Sequence, residues 1–96
     1  PKPELMFYGN GSVGRALAPK GVVLSAVEPG AVAFEGSYWD NFIKEGHPRV
    51  HDFLSHHQAI ARFGTPKEIA DVVLFMASEQ ASFMPGAVIP VDGANC

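Results

Sequence analysis

Three glycines near the start of the chain are the first residues whose spacing suggests chemistry. Gly9, Gly11 and Gly14 follow a short apolar run, and the Gly-x-Gly-x-x-Gly pattern is typical of a loop that binds a dinucleotide. Glycines there let the backbone approach a pyrophosphate, and an acid about 20 residues further on binds a ribose. Glu28 stands near that position. The helix that can follow the glycines is short for a crossover between parallel strands, so a simple turn is the alternative.

Four histidines raise the question of a metal site. His47 and His51 are four residues apart and would share one face of a helix, with His56 and His57 further along. No cysteine or carboxylate spacing completes a ligand set, and the single cysteine, Cys96, excludes both a zinc–thiolate cluster and a disulfide within the chain. We therefore expect no metal and interpret the histidines as part of a solvated or partly packed helix.

Composition limits the class of protein. The chain has 96 residues, of which 47% are hydrophobic and 18% charged, so we expect one folded domain over residues 1–96. A net charge of −3 without a basic run argues against a nucleic-acid partner. No apolar stretch approaches the roughly 20 residues of a membrane span, and no signal peptide is recognisable, so we expect no membrane contact and a cytoplasmic protein. A core this small is marginal alone, which favours a homo-oligomer.

The sequence predicts strands and helices that alternate along the chain and would position the candidate site residues. Val22–Val27 is predicted as a buried strand, and the short stretch Val13–Ala18 as one or two helical turns. Ala87–Val91 is predicted as a last strand, in which Pro90 lacks a donor and favours an edge or partner-facing position. His47-Pro48 opens one helix, and the capping box Thr65-Pro66-Lys67-Glu68 opens another. The apolar positions Ile69, Val72, Val73 and Met76 are predicted to form the buried stripe of that second helix. The fold class that follows is α/β, a partial Rossmann-like layer with a mostly parallel sheet and flanking helices.

The order of motifs from Leu17 onward resembles the C-terminal part of the short-chain dehydrogenase/reductase family, whose members oxidise or reduce hydroxyl and carbonyl groups with NAD(H) or NADP(H). The stretches that carry the resemblance are distributed over about four-fifths of the chain. They are Leu17–Gly21, Ala26–Val32, Arg62–Ala70, Leu74–Ser78 and Gly86–Gly93. Any one of them alone is weak; together, in order and at family spacing, they are specific.

The resemblance implies a cofactor site at the turn after the first strand. Pro29, Gly30, Ala31 and Val32 match the turn that lines the nicotinamide half of NAD or NADP, and Val32 matches the position whose backbone meets the carboxamide. An ordinary strand-ending turn is the alternative. Phe34 stands where the family commonly has a threonine, which removes a hydroxyl contact to the cofactor.

The resemblance also implies a substrate cover and a subunit contact. Four aromatic residues match the variable segment that covers the substrate in this family, and ordinary core filling is their alternative interpretation: Phe34, Tyr38, Trp39 and Phe42. Gly64–Ser78 and Gly86–Gly93 match the helix and last strand that commonly pack against another subunit, so the expected partner is a second copy or a fuller homologue.

The catalytic pair of the family is missing from this sequence. Family members use a Tyr-x-x-x-Lys pair and a serine, but the residue four after Tyr8 is Ser12, and four after Tyr38 is Phe42. We therefore assign no catalytic residue. Three hypotheses stay open: a truncated relative of a short-chain oxidoreductase that acts on a small-molecule substrate, a non-catalytic association module, and a miniature nucleotide-binding unit built on the glycines. Under the first, the segment before Val13 corresponds to the strand that precedes the catalytic serine.

Overall fold

The structure, a computed structural model, describes residues 11–95. The apolar run Leu5–Tyr8, Gly9 of the glycine pattern and Cys96 lie outside the described residues. The helices and strands, in chain order, are α1 (residues 11–17), a 3-10 turn (Ala18–Lys20), β1 (Ala26–Pro29), α2 (Asp40–Glu45), α3 (Pro48–His56), α4 (Pro66–Met76), a second 3-10 turn (Glu79–Ala81) and β2 (Val88–Val91).

The two strands pair side by side in parallel. The amide of Ala26 donates to the carbonyl of Ala87 at 2.8 Å, and the amide of Gly30 donates to the carbonyl of Val91 at 3.0 Å. The offset between the paired residues is the same at both ends, as a parallel register requires. The predicted fold class, α/β with a parallel strand pair and flanking helices, is confirmed.

The bounds of the first strand differ from the prediction. We predicted Val22–Val27, with a break at Glu28-Pro29, whereas β1 runs over Ala26–Pro29. Strand pairing requires a neighbour, and β2 offers one only from Val88 onward. The residues before Ala26 therefore have little to pair with on that side, apart from the carbonyl of Leu24, which accepts from the amide of Gly86 at 2.7 Å.

Pro90 lies inside β2 without interrupting the pairing. The carbonyls of Ala87 and Val91 face β1. Because alternate residues of a strand direct their backbone groups to opposite edges, the nitrogen of Pro90 faces away from β1. Pro90 is also exposed, in agreement with the edge position that its missing donor predicts.

The helix α4 begins as its capping box predicts. The amide of Glu68 donates to the Thr65 hydroxyl at 3.2 Å, and the Glu68 carboxylate accepts from the amide of Thr65 at 3.0 Å. The predicted buried stripe is only half-buried at Ile69, Val72 and Met76, and its fourth position is wrong, since Val73 is 48% exposed. Among the described residues nothing covers that side of α4.

The other helices depend on local side-chain contacts. The predicted helix after His47 is confirmed as α3, where the His47 ring accepts at Nδ1 from the amide of Arg49 at 3.0 Å. Helix α2 was not predicted, because the six residues of Asp40–Glu45 are too few for an apolar periodicity to be read.

Two compact units make up the chain, and the division passes through β1, α4 and β2. The first unit runs to Glu28 and includes Asp71–Pro90. Its buried residues include Ala81 and Gly14. The second unit contains Pro29–Ala70 and the chain from Val91 onward, and its buried side chains are Trp39 and Gln58.

Candidate functional site

The turn that follows β1 is held against the segment that follows β2. A Cβ added to Gly30 would lie 2.6 Å from both Cα and Cβ of Asp92, a distance that real Cβ atoms do not reach. Only glycine therefore fits at this position. The close neighbour is a residue of the same chain, so packing alone explains why residue 30 is a glycine.

The next three residues form a short parallel bridge with Gly64. The amide of Gly64 donates to the carbonyl of Ala31 at 3.0 Å, and the amide of Ala33 donates to the carbonyl of Gly64 at 3.1 Å. The backbone groups of Val32 therefore face the opposite way. Within residues 11–95 no acceptor or donor is bonded to them. The predicted cofactor turn thus offers one unused amide and one unused carbonyl at Val32.

An ion pair fixes the segment that carries Gly64. The two terminal nitrogens of the Arg62 guanidinium, Nη1 and Nη2, donate to the Glu68 carboxylate at 2.8 and 2.9 Å. Hydrogen bonds from Arg62, and then from the amide of Thr65, lower the pKa of Glu68 to about 2, and the same carboxylate raises the pKa of Arg62. The Glu68 carboxylate therefore holds the first turn of α4 against Arg62 and Thr65, which lie on either side of Gly64.

Trp39 is the centre of an aromatic cluster. Its ring centroid lies 4.8 Å from that of Phe53, 5.1 Å from Phe63, 5.5 Å from Tyr38 and 5.8 Å from Phe42. With 9% of its surface exposed, Trp39 fills the core of the second unit. Of the four aromatic residues predicted to cover a substrate, Trp39 fits the alternative interpretation, core filling.

Phe34 and Tyr38 lie at the surface instead, at 54% and 64% exposure. A compact turn presents them: the amide of Phe34 donates to the Ser37 hydroxyl at 3.2 Å, and the amide of Gly36 donates to the Asp40 carboxylate at 2.9 Å. The bond from Gly36, followed by the ion pair with Lys44, lowers the pKa of Asp40. These contacts fix the backbone that carries the two exposed rings, and a ligand can reach both rings from solvent.

The histidines have local roles. His47 caps α3, the His51 ring lies 3.4 Å from the Ser55 hydroxyl, and His56 lies 3.2 Å from the Asp52 carboxylate. Among the described residues no three histidine, cysteine or acidic side chains are grouped closely enough to hold a metal ion.

The glycine pattern falls inside a helix as far as it is described. Gly11 and Gly14 belong to α1, and a Cβ on Gly14 would lie 2.8 Å from the backbone nitrogen of Gly86. Gly14 is buried in this contact. A close helix-to-turn approach therefore explains Gly14 without a phosphate, and the dinucleotide interpretation stays a prediction.

The first unit contains an open apolar groove of about 410 Å³. Side chains from the residues leading into β1 and from the last turn of α4 line it, with Ser25 as the polar residue among them. The lining residues are Val23, Leu24, Ser25, Val27, Val73, Met76 and Ala77. No described helix is long and apolar enough to cross a membrane.

Two residues with unusual surroundings were missed in the sequence. Gln58 is 7% exposed; its side-chain amide donates to the carbonyl of Arg62, and its Oε1 has no partner among the described residues. Arg49 lies against three aromatic rings. The periodicity of α3 gives no sign of the rings around Arg49, which come from residues before that helix, and Gln58 belongs to no motif.

A family model described as enoyl-(acyl carrier protein) reductase matches residues 11–94. Two curated relatives are similar over most of the chain. 2-(S)-hydroxypropyl-CoM dehydrogenase 3 of Xanthobacter autotrophicus is 39% identical over 74 residues, which is 77% of this chain and 29% of the relative. A 3-oxoacyl-(acyl-carrier-protein) reductase FabG of Aquifex aeolicus is 36% identical over 83 residues, 85% of this chain and 31% of the relative.

Solved structures agree with these sequence matches. The crystal structure of YwfH, an NADPH-dependent reductase involved in bacilysin biosynthesis, superposes with a TM-score of 0.78 at 25% identity. The match covers 94% of this chain and 36% of YwfH. The chain thus spans about a third of the length of the proteins it matches.

Proposed function

Because the chain belongs to the short-chain dehydrogenase/reductase family, we propose that it is the portion of an NAD(P)-dependent oxidoreductase that contacts the nicotinamide, covers the substrate and meets a neighbouring subunit. This portion corresponds to the C-terminal part of the family. Pro29–Val32 form the cofactor turn, and Phe34, Tyr38 and Phe42 form the substrate cover around the buried Trp39.

The unused backbone of Val32 supports this proposal most directly. A primary carboxamide carries one acceptor and donors, the complement of a backbone amide and carbonyl that point the same way. The bridge to Gly64 uses the groups of Ala31 and Ala33 and leaves those of Val32 for a ligand. The residues present therefore fit the carboxamide end of a nicotinamide.

The chain's own contribution to the reaction is positional. A nicotinamide cofactor supplies or accepts the hydride when bound. Val32 would orient its carboxamide, Gly30 and Asp92 would keep the turn close to the end of β2, and the exposed rings would exclude water from a substrate. Proton transfer needs the family's tyrosine and lysine, and this sequence contains no Tyr-x-x-x-Lys pair. Hydride transfer by these residues alone is therefore not expected.

Amide chemical shifts of the ¹⁵N-labelled chain test the proposal. On addition of NADP⁺ or NAD⁺ we expect the Val32 amide resonance to move, while the neighbouring Ala33 amide, already bonded to Gly64, serves as an internal control and moves less. In parallel, nicotinamide absorbance with a panel of carbonyl substrates is expected to stay constant. A silent Val32 amide at millimolar cofactor, or robust turnover by this chain, would contradict the proposal.

Association without catalysis is the second candidate function, and the surface of α4 favours it. Val73, Leu74 and Phe75 are 48%, 73% and 45% exposed, so three consecutive apolar side chains face solvent. Monomeric proteins rarely leave contiguous apolar patches uncovered. A second copy or a fuller homologue that packs on α4 would bury them.

A further inference from the structure

Arg49, the second residue of α3, lies against the aromatic cluster of the second unit. Its guanidinium carbon is 5.2 Å from the ring centroid of Phe42 and 5.6 Å from those of Tyr38 and Trp39. At such distances the ring faces attract the cation and hold the planar group in place. Contact through the faces leaves the N–H donors at the edge of the guanidinium plane available for hydrogen bonds.

No acceptor occupies those donors among residues 11–95. Two other cations of the second unit are paired, Arg62 with Glu68 and Lys44 with Asp40 at 3.0 Å. Asp52, one turn further along α3, lies 3.2 Å from His56 instead of pairing with Arg49. Arg49 and Tyr38 are both exposed, so an anion can approach the guanidinium from solvent while an apolar group contacts the rings.

We propose that Arg49 and the rings of Tyr38 and Phe42 bind the carboxylate end of an aliphatic acid. The carboxylate would accept two parallel hydrogen bonds from the guanidinium, and the aliphatic chain would lie on the exposed Tyr38 ring and the half-buried Phe42 ring. This inference rests on the proposed function, in which the same segment covers the substrate, and it deepens it: the substrates are carbonyl or hydroxyl compounds that also carry a carboxylate.

Titration of the labelled 96-residue chain with sodium hexanoate tests the site, and hexanamide is the neutral probe of equal length. At constant ionic strength we expect hexanoate to shift the Nε resonance of Arg49 and the indole resonance of Trp39, the chain's single tryptophan, in a saturable way. Arg49→Gln should weaken hexanoate binding about tenfold or more, because it removes a charge-assisted pair. Arg49→Lys keeps the positive charge but loses the paired N–H donors of the guanidinium. Its affinity for hexanoate should lie between those of the wild type and Arg49→Gln.

Arg15→Gln is the matched control, since Arg15 is an exposed arginine of α1 and should leave hexanoate binding unchanged. Unchanged amide resonances of the strand residues Ala26–Glu28 and Val88–Val91, remote from Arg49 in the sequence, show that each free variant folds. Equal binding of hexanoate and hexanamide, full binding by Arg49→Gln, or no saturable shift up to about 100 mM would overturn the carboxylate site. The cofactor test reads the Val32 amide, so its outcome is separate from this one.

Discussion

Single residues in this chain are constrained by how closely two segments approach. Gly30 stands where no Cβ fits, because Asp92 of the segment after β2 occupies the space. Gly64 pairs with Val32 of the candidate cofactor turn, but the nearest neighbours of an added Cβ would lie 3.7 Å away, an ordinary contact distance. The two glycines therefore form a matched pair for testing the turn.

Gly30→Ala is expected to lower the free energy of unfolding by about 1–3 kcal/mol, because the added methyl group forces backbone apart. Gly64→Ala should change it by no more than about 0.5 kcal/mol. Urea denaturation of both variants measures the difference. Equal losses would mean that the turn relaxes around the new Cβ and that the approach of Gly30 to Asp92 is not a constraint.

At the scale of elements, the start of α4 combines a capping box with an ion pair. The Glu68 carboxylate accepts hydrogen bonds from the Thr65 amide and from the two terminal nitrogens of the Arg62 guanidinium. The pKa of Glu68 is lowered from 4.5 to about 2, and the largest cause is the hydrogen bond from Arg62. A lowered pKa in the native state means that this carboxylate stabilises the fold fully above pH 4.5, and that the stabilisation is lost as the pH falls toward about 2.

Comparison of wild type with Glu68→Gln measures this dependence. The urea midpoint of the variant should be lower than that of wild type at neutral pH, and the gap should narrow below pH 4.5 and close near pH 2. Glu79→Gln, an exposed carboxylate outside the capping box, is the control and should show little gap. A gap for Glu68→Gln that does not change with pH would contradict the role of its ionised form.

The start of a helix fixed by a local motif could be predicted, whereas strand bounds that depend on a distant partner could not. The box Thr65–Glu68 lies within four residues, so the sequence alone predicts the start of α4. The bounds of β1 depend on where β2 offers partners, and no pattern within Val22–Val27 carries that information. The same distinction applies to the candidate site residues. The turn Pro29–Val32 is predicted from a motif of neighbouring residues, whereas Arg49 contacts its aromatic rings only after α2 and α3 pack.

On the scale of the whole molecule, the chain leaves much apolar surface uncovered. Beside the three residues of α4, Phe83 is 99% exposed and Val22 is 46% exposed. Monomeric proteins rarely leave so much apolar surface uncovered, which supports the proposed contact with a second copy or a fuller homologue.

Leu74→Glu tests whether a second copy covers α4. Sedimentation at micromolar concentration should show self-association of the wild type, and the variant should shift toward monomer because a charge cannot be buried unpaired. Ile43→Glu, at an exposed apolar residue of α2, should leave the association unchanged. A wild type that sediments as a stable monomer would contradict the association hypothesis.

We propose that this chain supplies the nicotinamide-contacting and substrate-covering part of an oxidoreductase. A chimera is the sharpest experiment: residues 11–94, the span of the family match, replace the matching segment of the Aquifex aeolicus reductase. The chimera should reduce the reductase's substrate with a nicotinamide cofactor. Val32→Pro, which removes the amide donor, should lower that activity about tenfold, and Val32→Ala should change it little. A folded chimera without reduction, or one indifferent to Val32→Pro, would contradict the proposal.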